Sequence, residues 1–65
     1  MVDMYYLRTL HGMTMQDVAD ACGVTRQAIY NIEHYRNKPG VELAKKLGDL
    51  FGVDWWRFLE MEVVK

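Results

Sequence analysis

The sequence predicts an all-α fold, a compact bundle of five short helices, and three observations carry that expectation. Apolar residues recur at three- and four-residue steps. Gly12, Gly23, Pro39-Gly40 and Gly52 interrupt them at intervals that suit short helices and tight turns. The period-2 alternation of a strand is nearly absent before the last few residues. At ~100–200 residues per domain, 65 residues allow one small domain, so 1–65 reads as a single unit.

Each helix has its own signals. Met4, Leu7 and Leu10 recur at three-residue steps and predict a first helix over Asp3–His11. Thr14 can cap a second helix, Met15–Cys22, with Asp17 in its first turn and Val18, Ala19 and Cys22 on its inner face. Gly23 falls where a left-handed residue ends that helix. Thr25 can cap a third, Arg26–Tyr35, which turns Ile29 and Ile32 inward and which Pro39 stops. Leu43, Leu47, Leu50 and Phe51 stripe a fourth helix, Val41–Phe51, and Asp54 can cap a fifth, Trp55–Glu60.

Composition narrows the function classes. With 51% hydrophobic and 26% charged residues the chain is globular and not disordered. So short a chain buries only ~60% of its unfolded surface, too little for most enzyme scaffolds. No nucleophile–base pair is recognisable, so no catalytic residue and no enzyme activity is expected. No apolar run nears the ~18 residues of a membrane span, and no basic stretch precedes an apolar one at the N-terminus, so neither anchor nor signal peptide is expected. The lone Cys22 leaves no internal disulfide and suits a reducing cytoplasm. His11, Cys22 and His34 match no zinc spacing, and Cys22 suits a small core position, so no metal, cofactor or small-molecule ligand is expected.

Charge is uneven. The net charge is −1, yet residues 25–46 carry five basic against two acidic side chains, with acidic segments on either side. Such a basic middle can form a local anion-binding face, although uneven charge is also ordinary surface scatter.

Only Gly23 and Val24 separate Cys22 from the cap at Thr25. So tight a join forces the second and third helices to cross steeply, as in a helix-turn-helix, here over about residues 15–35. Ala19 is small where the third helix must approach, and Val24 can plug the corner. With Ala28, Ile29 and Ile32 inward, Arg26, Gln27, Tyr30 and Asn31 cover the opposite side. Arg can bond guanine and Gln or Asn adenine through two hydrogen bonds, while Tyr30 can reach a phosphate or a thymine methyl.

The sequence resembles the Cro and phage-repressor family of helix-turn-helix proteins, the xenobiotic-response-element-like group. Leu7-Arg8, Gly12-Met13-Thr14, Val18-Ala19, Gly23-Val24-Thr25-Arg26, Ile29, Ile32-Glu33, Arg36-Asn37-Lys38-Pro39, Leu47 and Phe51-Gly52-Val53 carry the likeness, over roughly residues 4–59. It implies a lambda-repressor-like DNA-binding domain whose third helix enters the major groove of double-stranded DNA. Arg36, Asn37 and Lys38 match the family's phosphate-contacting loop, and Thr14 and Thr25 at helix starts join them. Where the family usually places Gln at the start of the second helix, this chain has Met15 and then Gln16, and the phosphate contact is expected of Gln16. Arg8 and Glu33 match a charged pair that ties the first helix to the end of the third.

The expected function is a sequence-specific transcriptional regulator, a Cro-like repressor occluding an operator. A protein-binding adaptor or antitoxin-like module on the same fold is the rival. A homodimer is the expected assembly, through an apolar C-terminal segment, 55–65: adjacent Trp55 and Trp56 diverge on a helix, and with Phe58, Met61, Val63 and Val64 they exceed what one small core encloses.

Overall fold

Local hydrogen bonds open and close nearly every helix in the computed structural model, which describes residues 2–63. Four α-helices, α1 (Met4–Leu10), α2 (Met15–Cys22), α3 (Arg26–Glu33) and α4 (Val41–Phe51), precede a 3-10 helix over Trp55–Glu60. The described residues contain no strand. The side chains of Asp3, Thr14 and Thr25 cap α1, α2 and α3 by accepting the N–H groups of Tyr6, Asp17 and Ala28. Asp54 differs from expectation: its side chain makes no cap bond, and its carboxylate lies 4.0 Å from Arg57 Nε instead.

Left-handed glycines follow α1, α2 and α4, but α3 ends differently. It stops at Glu33, short of the expected Tyr35, because Tyr35 itself turns left-handed at φ 58°, the one non-glycine residue to do so among those described. The Tyr35 N–H donates to Ile32 O (3.1 Å) and the Arg36 N–H to Asn31 O (2.8 Å), the paired bonds of a Schellman ending.

Val18, Ala19 and Cys22 of α2, Ile29 and Ile32 of α3, and Ala44, Leu47 and Phe51 of α4 form one core with Val2, Met4, Phe58 and Met61. Leu10 lies outside it, 64% exposed. Each three-residue step lags a full turn by ~60°, so Leu10 has drifted ~120° around α1 from buried Met4.

The C-terminal segment departs most from expectation. Phe58 and Met61 are fully buried within the chain, so neither can form a dimer interface. Three residues per turn align Trp55, Phe58 and Met61 along one edge of the 3-10 helix, and that edge packs inward. Gly48 makes room: a Cβ there would come within 2.8 Å of Val53 O and 2.9 Å of Trp55 Cα. Trp55 is consequently half-buried, while Trp56 stays 48% exposed. Val64 and Lys65, the end of the expected dimerisation segment, lie outside the described residues.

Candidate nucleic-acid interface

The corner between α2 and α3 is built from three short-range devices. Gly23, at φ 69°, lets the Val24 N–H reach back to Ala19 O at 3.0 Å. Val24 then packs against the core, half-buried. Thr25 accepts the Ala28 N–H at 3.2 Å and starts α3 at the next residue. Ala19 is fully buried, as a close crossing of the two helices requires.

That corner fixes which way α3 faces. Ile29 and Ile32 are buried, so the helix cannot roll without exposing them. Arg26 and Gln27 are left exposed on the first turn, and Tyr30 and Asn31 are half-buried beside them. The Gln27 amide donates to Asn31 Oδ1 at 3.1 Å, which joins two of the four as one polar unit. Tyr30 packs instead against His34, the residue that follows α3.

The remaining predicted residues flank this face in two groups. Thr14 and Asp17 form a reciprocal capping box at the start of α2, 3.0 and 2.9 Å long. Accepting the Thr14 backbone N–H, and then its hydroxyl, holds the Asp17 carboxyl below its usual range. Gln16 is exposed and its amide donates to Asp20 Oδ1 at 2.8 Å, so in the free protein it is held along α2. Arg36, Asn37 and Lys38 are exposed on the loop, and the N–H groups of Arg36 and Asn37 both point back to Asn31 O.

Electrostatics separates the five basic residues of the middle segment. Lys45 lies over the Trp55 ring at 5.1 Å, and Lys46 donates to Cys22 O at 3.4 Å. Arg26, Arg36 and Lys38 have no carboxylate within ion-pair reach among the described residues. Glu33, the one acid on α3, is turned inward onto Arg8 at 2.9 Å. The outer face of α3 thus keeps its one cation, Arg26, and loses its anion, with Arg36 and Lys38 on the loop that follows.

His11, Cys22 and His34 do not converge: His11 packs on Phe51, Cys22 is buried, and His34 packs on Tyr30. Burial pushes the Cys22 thiol up, away from a reactive thiolate. Among the described residues no cluster can hold a metal ion, and no helix is long and apolar enough to cross a membrane. Sequence reasoning missed the structural roles of Tyr35 and Gly48. Nothing in a tyrosine codon signals a left-handed backbone, whereas Gly48, inside the α4 stripe, was a visible sign of close approach.

Comparison with known proteins agrees with this geometry. The chain is 44% identical over 48 residues to the uncharacterized HTH-type transcriptional regulator MJ0272 of Methanocaldococcus jannaschii, covering 74% of this chain and 73% of that one. It is 39% identical over 49 residues to the uncharacterized HTH-type transcriptional regulator YqaF of Bacillus subtilis, covering 75% of this chain and 64% of the relative. No solved structure gives a significant match. The family described as Helix-turn-helix matches over residues 4–55, from the first turn of α1 through the Gly23 corner to the start of the 3-10 helix. The corner, the outer face of α3 and the following loop all fall inside that span, and the chain belongs to the helix-turn-helix family.

Proposed function

We propose that this protein is a non-enzymatic, DNA-binding transcriptional regulator that reads duplex DNA with α3 and represses by occluding an operator. The observation that carries this reading is the outer face of α3. Its inner side is locked in the core, while Arg26, Gln27 and Asn31 face outward and the nearest acid is folded away. Both relatives bear names of HTH-type transcriptional regulators, which supports the same reading. Arg26, Gln27 and Asn31 are assigned to base edges, and Tyr30 stands between the base-reading and phosphate-binding groups. Thr14, Gln16, Thr25, Arg36, Asn37 and Lys38 are assigned to phosphates, where they set register without reading sequence.

Selection of random duplexes by the purified chain tests this. Retained sequences should share a short motif, and Arg26→Ala should weaken binding to it more than to scrambled duplexes. Failure to enrich any motif would count against the reading.

We further propose that the protein reads its site as a two-fold dimer, since two copies of α3 spaced ~34–36 Å apart double the contacts. With Phe58 and Met61 committed to the core, Trp56 remains the anchor. It lines a groove of about 540 Å³ between the start of α1 and the 3-10 helix, with Tyr6, Asp3, Arg57 and Glu60. Under a two-fold axis the same patch meets itself, so Arg57 of one copy can pair with Asp3 or Glu60 of the other. Sedimentation should show a concentration-dependent mass that Trp56→Ser shifts toward monomer; a monomer at high micromolar concentration would argue against the dimer.

A further inference from the structure

The end of α3 brings Tyr30 and Arg36 together with His34, which has no role in the reading so far. The left-handed Tyr35 folds the loop back so that Arg36 returns beside the helix it has just left. The Tyr35 ring is half-buried against the core and its hydroxyl donates to Val2 O at 3.5 Å, contacts that hold the turn. As a result the Arg36 guanidinium lies 5.9 Å from the centre of the Tyr30 ring. His34, one turn after Tyr30, packs on the same ring at 4.1 Å with a 33° tilt. His34 and Arg36 are both exposed, and Glu33, just before His34, is turned inward to Arg8.

We propose that Tyr30, His34 and Arg36 act as one pre-stacked clamp on the DNA backbone, with Tyr30 bonding phosphate instead of a base edge and His34 belonging to the interface. The proposal rests on the DNA-binding reading. Three observations support it. The stack commits the Tyr30 ring to His34 and Arg36, whereas Gln27 and Asn31, assigned to bases, pair with each other. All three groups can donate hydrogen bonds, and Arg36 adds a charge with no carboxylate in ion-pair reach, which suits a phosphodiester oxygen. The ring also restrains the His34 and Arg36 side chains before binding, which lowers the ordering cost at contact.

The test uses the full chain with a duplex retained by selection and a scrambled duplex of equal length and composition, at several salt concentrations. His34→Ala should weaken both duplexes by the same roughly three- to tenfold, the loss of one hydrogen bond, with salt slope and base preference unchanged. Arg36→Ala should weaken both and lower the salt slope by about one ion. Tyr30→Phe, which keeps the stack but loses the hydroxyl, should weaken both equally. In the free protein the His34 ring protons should be shifted upfield by the Tyr30 ring, and Tyr30→Leu should abolish that shift.

If the parent binds and His34→Ala binds as the parent does, the clamp is overturned while the DNA reading stands. A changed base preference in Tyr30→Phe would overturn it too, returning Tyr30 to base reading. If the parent binds no duplex at all, the DNA reading falls and takes the clamp with it.

Discussion

Arg8 and Glu33, far apart in sequence, meet in a two-pronged ion pair: Arg8 Nε and Nη2 donate to the two Glu33 carboxylate oxygens at 3.0 and 2.9 Å. The third guanidinium nitrogen, Nη1, donates to Met13 O at 3.0 Å, so one side chain ties α1, the α1–α2 loop and the end of α3 together. The hydrogen bonding that Arg8 donates to Glu33, outweighing the opposing effect of burial, raises the Arg8 pKa.

With the two side chains only 14% and 7% exposed, removing one partner strands the other nearly out of water. Arg8→Met should cost ~3 kcal/mol in urea unfolding, toward the low end for a fully buried pair. Arg8→Met combined with Glu33→Leu should recover most of that loss, because the stranded charge is gone. Equal losses in the single and double variants would show that helix packing, and not the charge, is responsible.

Tyr35 makes a prediction with an unusual sign. Glycine within a helix or strand is less stable than alanine, but at a left-handed position the order reverses. Tyr35→Gly and Tyr35→Ala both lose the ring, so their difference isolates the backbone. Tyr35→Gly should be the more stable of the two by ~1 kcal/mol, and the less stable variant in that comparison should also have a looser Arg36–Lys38 loop. Thermal melts of the pair decide it; alanine at least as stable as glycine would mean that the turn relaxes.

Asp17 sets the response of α2 to acid. Its folded pKa is lowered, chiefly by the Thr14 backbone N–H, so the charged form favours the fold. That contribution is fully present above the ordinary aspartate value and is lost as pH falls through the lowered one. Asp17→Ala should therefore melt below the parent at neutral pH, and the gap between the two curves should narrow in acid, as pH falls through the lowered value. A gap independent of pH would assign the effect to helix propensity alone.

What was legible from sequence was whatever short-range chemistry decides. Thr14, Gly23 and Thr25 each act through neighbours within five residues, and α2 and the start of α3 fall where those residues predicted. The family match bears out the all-α helix-turn-helix fold. Features set by tertiary contact were not legible. The 3-10 winding that aligns Trp55, Phe58 and Met61 depends on their fit to α4, and an α-helical reading spreads them apart. The left-handed Tyr35 is held by a ring packed on the core and a bond to Val2, neither visible in the local sequence.

Gly48 tests that fit directly. Alanine should favour an isolated helix by ~1 kcal/mol, yet its Cβ would meet the backbone of Val53 and Trp55, which cannot rotate aside. Gly48→Ala should be net destabilising by ~1–3 kcal/mol, with tryptophan fluorescence shifted to the red as Trp55 is lifted toward water. A stabilised variant with unshifted emission would show that the 3-10 helix slides without cost.

The Gln27–Asn31 pair gives the most specific expectation for DNA. The two amides share one hydrogen bond of 3.1 Å, and whichever way each is turned, the pair keeps one free donor and one free acceptor. Adenine presents the complement in the major groove, an N7 acceptor and an N6 donor. On the proposed DNA reading, the selected motif should therefore hold an A·T pair opposite this unit. Gln27→Ala or Asn31→Ala should each cost ~1–3 kcal/mol and relax preference at that one base pair. Because each amide orients the other, the double variant should cost less than the two losses summed, by at least about 0.5 kcal/mol. Lys38→Ala provides the contrast: all duplexes should weaken alike, with the salt slope lower by about one ion. Strictly additive losses in the cycle would mean that the two amides read separate bases, and an unchanged preference in both single variants would remove them from base reading altogether.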